Sequence, residues 1–276
     1  MRITLHGTRG SVGRAGPETM RFGGDTSCVE VVGDDGSILV LDAGSGLARL
    51  NQRLDPCPPR IDLLLTHLHM DHLQGLGFFR ALFFEGVEVH LWGPVSSTMT
   101  LSERLGRYLS PPLFPVRIRD LPALRFHDVR PGDYELGTFE MTADLICHPG
   151  PTLGFRLSHN SHTLAYLPDH EPALGSTSFP KAPEWTSGYD LCEGVDVLIH
   201  DFQYTPEEYS KRVGWGHSSM PQTLAFAKQV GAGRLVSFHH DPDHDDATLD
   251  RLHEEAASGG HPFEFIPGTT GLKLEV

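Results

Sequence analysis

The run His67-Leu68-His69-Met70-Asp71-His72 places three histidines and one aspartate within six residues. It follows Ile61-Asp62-Leu63-Leu64-Leu65-Thr66, whose apolar stretch reads as a buried strand. His67 and His69 stand two apart, so in extended chain they share a face. Asp71 and His72 come next and can turn toward a second ion. Imidazole nitrogen and carboxylate oxygen suit zinc, and manganese or iron less exclusively. The plain alternative is a histidine-rich surface turn. The spacing, and the strand in front of it, favour metal binding.

Two ions need about seven or eight protein donors between them, more than this run holds. Further candidates stand where later apolar strands end: His148, Asp169, Asp201 and His239. Singly, each reads as a turn residue or a cap. Together they complete a scheme in which His67, His69 and His148 hold one ion, Asp71, His72 and His239 hold the other, and Asp169 bridges them. Two divalent cations against two carboxylates leave about +2, or about +1 with a bridging hydroxide, which suits a phosphodiester monoanion. His240 competes with His239 for its place. His217, in Gly214-Trp215-Gly216-His217-Ser218-Ser219, could donate a proton to a leaving alkoxide with Asp201 orienting it. Spacing alone equally allows His217 to be a cap and Asp201 a strand end.

The elements that must position these groups alternate between strands and turns. Strands are expected from Ile3 to about Leu41, with a hairpin at Gly33-Asp34-Asp35-Gly36. The glycine-rich loop from Gly7 to Gly24 lacks a GK[ST] pattern and reads as a rim loop rather than a phosphate cradle. Asp42 either caps a helix over Leu47 to Leu54 or accepts a hydrogen bond from a metal-binding histidine. Asp71 to about Phe84 has helical spacing, with Leu73, Leu76, Phe79 and Phe83 toward the core. A strand follows over 87–92 and a helix over 99–109; the proline-broken stretch within about 93–122 reads as a possible cap on the active site. From Leu124 to Leu167 the pattern is β again, and 171–190 reads as an exposed loop. Strands over 195–199, 234–238 and 271–276 alternate with helices at 207–212, at 245–256, and from a Ser219/Gln222 capping box to about Val230.

The 276 residues suffice for one domain spanning 1–276 with a sizeable core. No stretch approaches the roughly 18 consecutive apolar residues of a membrane span, and the N-terminus reads as a strand, which points to a cytoplasmic protein that does not enter a membrane. Cys28, Cys57, Cys147 and Cys192 form no CxxC pair and read as free thiols. The net charge of −14, with no Lys/Arg-rich block, disfavours long nucleic acid as a partner. A small anion drawn to the cations fits better.

The histidine run resembles the signature of metallo-β-lactamase-fold hydrolases. The resemblance implies an α/β, four-layer αββα sandwich, two zinc ions (manganese or iron also compatible), and an Asp-x-Gly carboxylate at Asp42 that supports a ligating histidine. It favours His239 over His240. Gly216-His217-Ser218-Ser219, then a helix, then Phe238-His239, is similar to the RNase Z branch, where an acidic residue placed like Asp201 partners the extra histidine. Gly7-Thr8-Arg9-Gly10-Ser11 and His239-His240-Asp241-Pro242 look nearer to bacterial and phage cyclic-nucleotide phosphodiesterases. The expectation is therefore a homodimeric dinuclear zinc phosphodiesterase that opens 3′,5′-cyclic nucleotides with a metal-bound hydroxide, with Asp71, His217 and Asp201 catalytic. The rivals are a transfer-RNA 3′-processing endonuclease and a thiolester or lactone hydrolase of the same fold.

Overall fold

The computed structural model describes residues 1–176 and 178–276. Among them, fourteen strands form two seven-stranded sheets. The first contains β1 (Arg2–Gly7), β2 (Cys28–Val32), β3 (Ile38–Leu41), β4 (Arg60–Leu64), β5 (Glu88–Pro94) and β6 (Leu124–Val129). The second contains β7 (Gly132–Leu136), β8 (Phe139–Leu145), β9 (Leu153–His159), β10 (His162–Leu167), β11 (Val197–Asp201), β12 (Arg234–Phe238) and β13 (Glu264–Ile266). The last strand, β14 (Lys273–Glu275), returns to pair with β1. Helices α1 (Leu47–Leu50), α2 (Leu101–Leu105), α3 (Tyr189–Cys192), α4 (Pro206–Tyr209), α5 (Met220–Val230) and α6 (Asp246–Ala257) lie between strands.

Apolar alternation explains the layering. On β11, Val197 and Ile199 enter the core between the sheets while Leu198 packs with Phe226 and Ala227 of α5 outside. A strand buried on both faces needs the unbroken apolar run that Val195 to Ile199 supplies apart from Asp196. Across the inter-sheet core, Ile3, Leu5 and Val31 belong to the same cluster as Phe155, Tyr166 and Phe238. The outer face of the first sheet is covered by Leu47, Leu76, Phe79, Leu101 and Leu105. The αββα sandwich is therefore present. β10, β11 and β12 run parallel, with Leu167 opposite His200 and Asp201 opposite Phe238. Their carboxyl ends thus open on one edge, where parallel sheets place ligands.

Three local expectations need correction. Residues 71–84 form no continuous α-helix but three 3₁₀ turns, at Met70–His72, Leu76–Phe78 and Arg80–Phe83. The reason is docking. Gly75 N–H donates to the Ala43 carbonyl (2.9 Å) and Ala43 N–H to the His72 carbonyl (2.9 Å). An α-helix would commit Gly75 N–H to Asp71 instead. Phe83, expected in the core, is 52% exposed, whereas Leu73, Leu76 and Phe79 are buried. The helix expected over 99–109 is confined to α2, and β13 was not foreseen. Within 93–122, Leu101, Leu105, Leu109, Phe114 and Ile118 join the outer core, and Tyr108 Oη donates to the Gln74 carbonyl (3.2 Å). Of the loop expected over 171–190, residue 177 lies outside the described residues. That loop is not wholly exposed, for Glu171 at its start is buried.

A Cβ added at Gly75 would sit 2.1 Å from the Gly44 carbonyl oxygen. Gly75→Ala should therefore cost about 2 kcal/mol, as overpacking does, and loosen the Asp71-His72 turn. An unchanged thermal midpoint would sink this reading of the docking.

Candidate metal centre

The strand ends converge on two groups of candidate donors. One donor group gathers His67, His69, His148 and Asp169, with all ligand atoms within 4.8 Å of one another. His67 Nε2 and His148 Nε2 each lie 3.7 Å from Asp169 Oδ2, and His148 Nε2 lies 3.2 Å from His69 Nδ1. The second gathers Asp71, His72, His239 and again Asp169. Here His72 Nε2 is 3.0 Å and His239 Nε2 3.3 Å from Asp169 Oδ1, and both face Asp71 Oδ2, at 3.3 and 3.1 Å. Asp169 thus turns one oxygen to each group. His240 points elsewhere, with its Nε2 2.8 Å from the Gly268 carbonyl.

Four of the donors, His72, His239, His148 and Asp71, are held from behind. Asp42, left-handed at φ 58, accepts from Thr66 N–H (2.8 Å) and Tyr166 Oη (3.0 Å), and its Oδ2 lies 2.8 Å from His72 Nδ1. It does not cap α1, whose N-cap is Gly46 with no side-chain hydrogen bond. His239 Nδ1 lies 2.9 Å from Gln203 Oε1, and His148 Nδ1 2.8 Å from the Gly216 carbonyl. Ser11 N–H donates to Asp71 Oδ2 (2.8 Å). His239 is also left-handed, at φ 56, and it packs so closely that a Cβ at Gly10 would lie 2.4 Å from its Nδ1. Strained backbone of this kind is tolerated where the surroundings over-determine it.

His217 and Asp201 meet beside this centre. His217 Nδ1 is 2.8 Å from Asp201 Oδ2, and its ring stacks on His239 with centroids 5.0 Å apart. Gln203 and Glu171 went unnoticed in the sequence, because neither stands in a histidine cluster or at a motif spacing. A glutamate directly after Asp169-His170 was the available hint for the second.

The electrostatics fit cations. His67 Nε2, His72 Nε2 and Asp169 Oδ1 are buried with no hydrogen-bond partner. Orphaned buried donors converging on one space match what a metal ion would satisfy. Burial pushes His67, His69 and His148 down, leaving neutral imidazoles able to ligate. At His72 and His239 burial acts the same way, but Asp169 and Asp71 outweigh it and raise both, His239 to about 9. Against burial, these imidazoliums hold Asp71 and Asp169 well below the usual carboxylate range. Protons and cations thus compete for one place.

Two outcomes follow. Zinc added to stripped protein at pH 7 should displace the His239 proton, and its apparent affinity should climb as pH rises from 6.5 toward 9. Calorimetry in buffers of different ionisation enthalpy reads that proton release, and its absence would refute the competition. Asp42→Asn should weaken metal affinity about 10- to 100-fold, the usual effect of losing a carboxylate behind a ligating histidine. Metal titration against a chelator measures it, and wild-type affinity would remove Asp42 from that role.

Comparison with known proteins extends this geometry. The family model described as "Beta-lactamase superfamily domain" matches residues 38–240. Ribonuclease Z of Gemmatimonas aurantiaca is 26% identical over 270 residues, covering 81% of this chain and 82% of the relative. Ribonuclease Z of Haloarcula marismortui is 24% identical over 301 residues, covering 93% and 91%. In fold, the chain is similar to the metallo-beta-lactamase fold protein YhfI from Bacillus subtilis (TM-score 0.73, 21% identity, 99% of both chains). It is likewise similar to human tRNase Z, short form (TM-score 0.68, 19% identity, 100% and 99%).

These relatives overturn one expectation. A net charge of −14 by itself disfavours long nucleic acid, yet relatives spanning most of the chain are ribonucleases. Net charge sums the whole surface, whereas a polyanion feels the local field, which cations at the centre would dominate. Among the described residues no helix is long and apolar enough to cross a membrane. With the superfamily model covering most of its length and two histidine–carboxylate groups at its strand ends, the chain belongs to the beta-lactamase superfamily and is a metal-dependent hydrolase.

Proposed function

We propose that this protein hydrolyses a phosphodiester bond in RNA, in the manner named for its ribonuclease Z relatives. The observation that carries the reading is the match to those relatives over 81 to 93% of the chain. The Asp201–His217 pair stacked beside the metal centre supports it, since the two-ion scheme does not use His217 as a ligand.

In this reading His67, His69 and His148 hold one cation, Asp71, His72 and His239 the other, and Asp169 spans both. Zinc suits this nitrogen-rich donor set. Two such ions, when bound, would supply Lewis-acid chemistry at the phosphoryl oxygens and lower the pKa of water. The chain's own residues do the rest. Asp201 accepts from His217 Nδ1 and so leaves Nε2 to face the substrate. A water that has given one proton to solvent attacks phosphorus through its oxygen. The P–O bond to the departing ribose oxygen breaks with its electron pair on that oxygen, and His217 gives it a proton.

The test sets precursor transfer RNA beside 3′,5′-cyclic purine and pyrimidine nucleotides, with metal-stripped and zinc-reloaded protein. Metal-dependent RNA cleavage is expected. Opening of cyclic nucleotides with the RNA untouched would overturn the substrate class while keeping the phosphodiester chemistry. His217→Ala should keep its metal content and lose about 10²- to 10⁴-fold in kcat, the usual contribution of a general acid. Undiminished turnover would refute that role.

A further inference from the structure

Residues 213–217 lie in neither helix nor strand, and Gly214 and Gly216 are left-handed, at φ 85 and 86. The turn's own bond, Trp215 N–H to the Arg212 carbonyl (3.0 Å), stops short of Gly216 and His217. Asp201 orients the imidazole through Nδ1 and accepts from Ser218 N–H (3.2 Å) after it, but makes no bond to the turn before it.

A buried carboxylate does. Glu171 is 0% exposed and has no Lys, Arg or His ion-pair partner among the described residues. Its oxygens accept from backbone N–H groups of that turn: Gly214 N–H at 3.0 and 3.1 Å and Gly216 N–H at 2.9 Å. Tyr209 Oη donates to it as well, at 2.8 Å. An ionised carboxylate only accepts, so it suits a turn that aims several donors at one point.

The contacts close a circuit. Glu171 N–H donates to the Cys147 carbonyl at 2.9 Å, just before His148. His148 Nδ1 lies 2.8 Å from the Gly216 carbonyl, and Gly216 N–H returns to Glu171. A Cβ at Gly216 would lie 2.4 Å from His148 Nδ1, so the turn and the histidine pack without slack. One residue, two beyond Asp169, therefore ties these segments together: its side chain holds the His217 turn and its backbone N–H the His148 segment.

We infer that Glu171 is a positioning residue, whose side chain fixes the His217 turn at the distance proton delivery requires. The inference rests on the proposed role of His217. It predicts a selective defect. Losing the clamp should damage cleavage of bonds whose leaving oxygen needs a proton and spare bonds whose leaving group departs unaided. A residue that merely stabilised the fold would affect both alike.

The experiment uses the full chain loaded with zinc and two probes: precursor transfer RNA, and bis(p-nitrophenyl) phosphate, whose phenolate leaves without help. Glu171→Ala should lower kcat on the RNA about a hundredfold, the effect of a misplacement of about 1 Å. On the aryl diester the change should stay within about threefold. Combined with His217→Ala it should add almost nothing on the RNA, because both act through one group. Glu171→Gln should recover most of the RNA activity, its amide oxygen taking the two glycine N–H groups and its NH₂ turning to Tyr209. If Glu171→Ala does not fold by circular dichroism, Glu171→Asp carries the test. It keeps the charge, withdraws it by one methylene, and should show the same selective loss. Equal loss on both probes, additive loss with His217→Ala, or an unimpaired Glu171→Asp would overturn the positioning role. Retained RNA cleavage by His217→Ala alone would instead remove the role on which it rests.

Discussion

The structure turns on two carboxylates that have been taken out of water. Asp71 is 6% and Asp169 2% exposed, and the ion pairs they make among the described residues are with histidines alone. A buried carboxylate needs positive charge and hydrogen bonds close by. Imidazoles provide a version of that charge which can be given up to a cation, which lysine or arginine would not. The donor groups, the raised pKa of His239 and the orphaned atoms all follow from that one requirement.

Meeting the requirement sets demands on the backbone. Candidate donor atoms, with Asp201 beside them, must stand within a few ångströms while arriving from five strand ends in two sheets. Parallel pairing of β10, β11 and β12 brings three of those ends level. The remaining adjustment is made by local departures from regular structure: left-handed Asp42 and His239, a 3₁₀ turn at Met70–His72, and a glycine at position 10 where a side chain would collide with a ligand. These are the positions where propensity and fold disagree, and they cluster at the centre as functional strain does.

Charge is the point at which summation misleads. Acidic residues distributed over the surface set the net value of −14. They lie in water and salt, where their influence fades within about 10 Å. A recessed centre able to hold two cations presents its own field to a phosphate. Fold and local donor chemistry therefore speak to the substrate class, and whole-chain charge does not.

By itself the sequence determined much of this protein. Ligand types and the strands before them were legible because both are local: an apolar run and a dense set of donors are visible within one window, as at Ile61 to His72. The αββα layering was legible for the same reason, through strands such as Val195 to Ile199 that are apolar on both faces. Tertiary structure alone decided what depends on groups distant in the chain. It replaced the helix expected over 71–84 with turns, since Gly75 bonds to Ala43. It separated His239 from His240, which no spacing could do. It gave Asp42 its place behind His72, and it bound Glu171 to a turn some 45 residues further on. Such hydrogen bonds pair atoms by position in space, and periodicity along the chain carries no record of them.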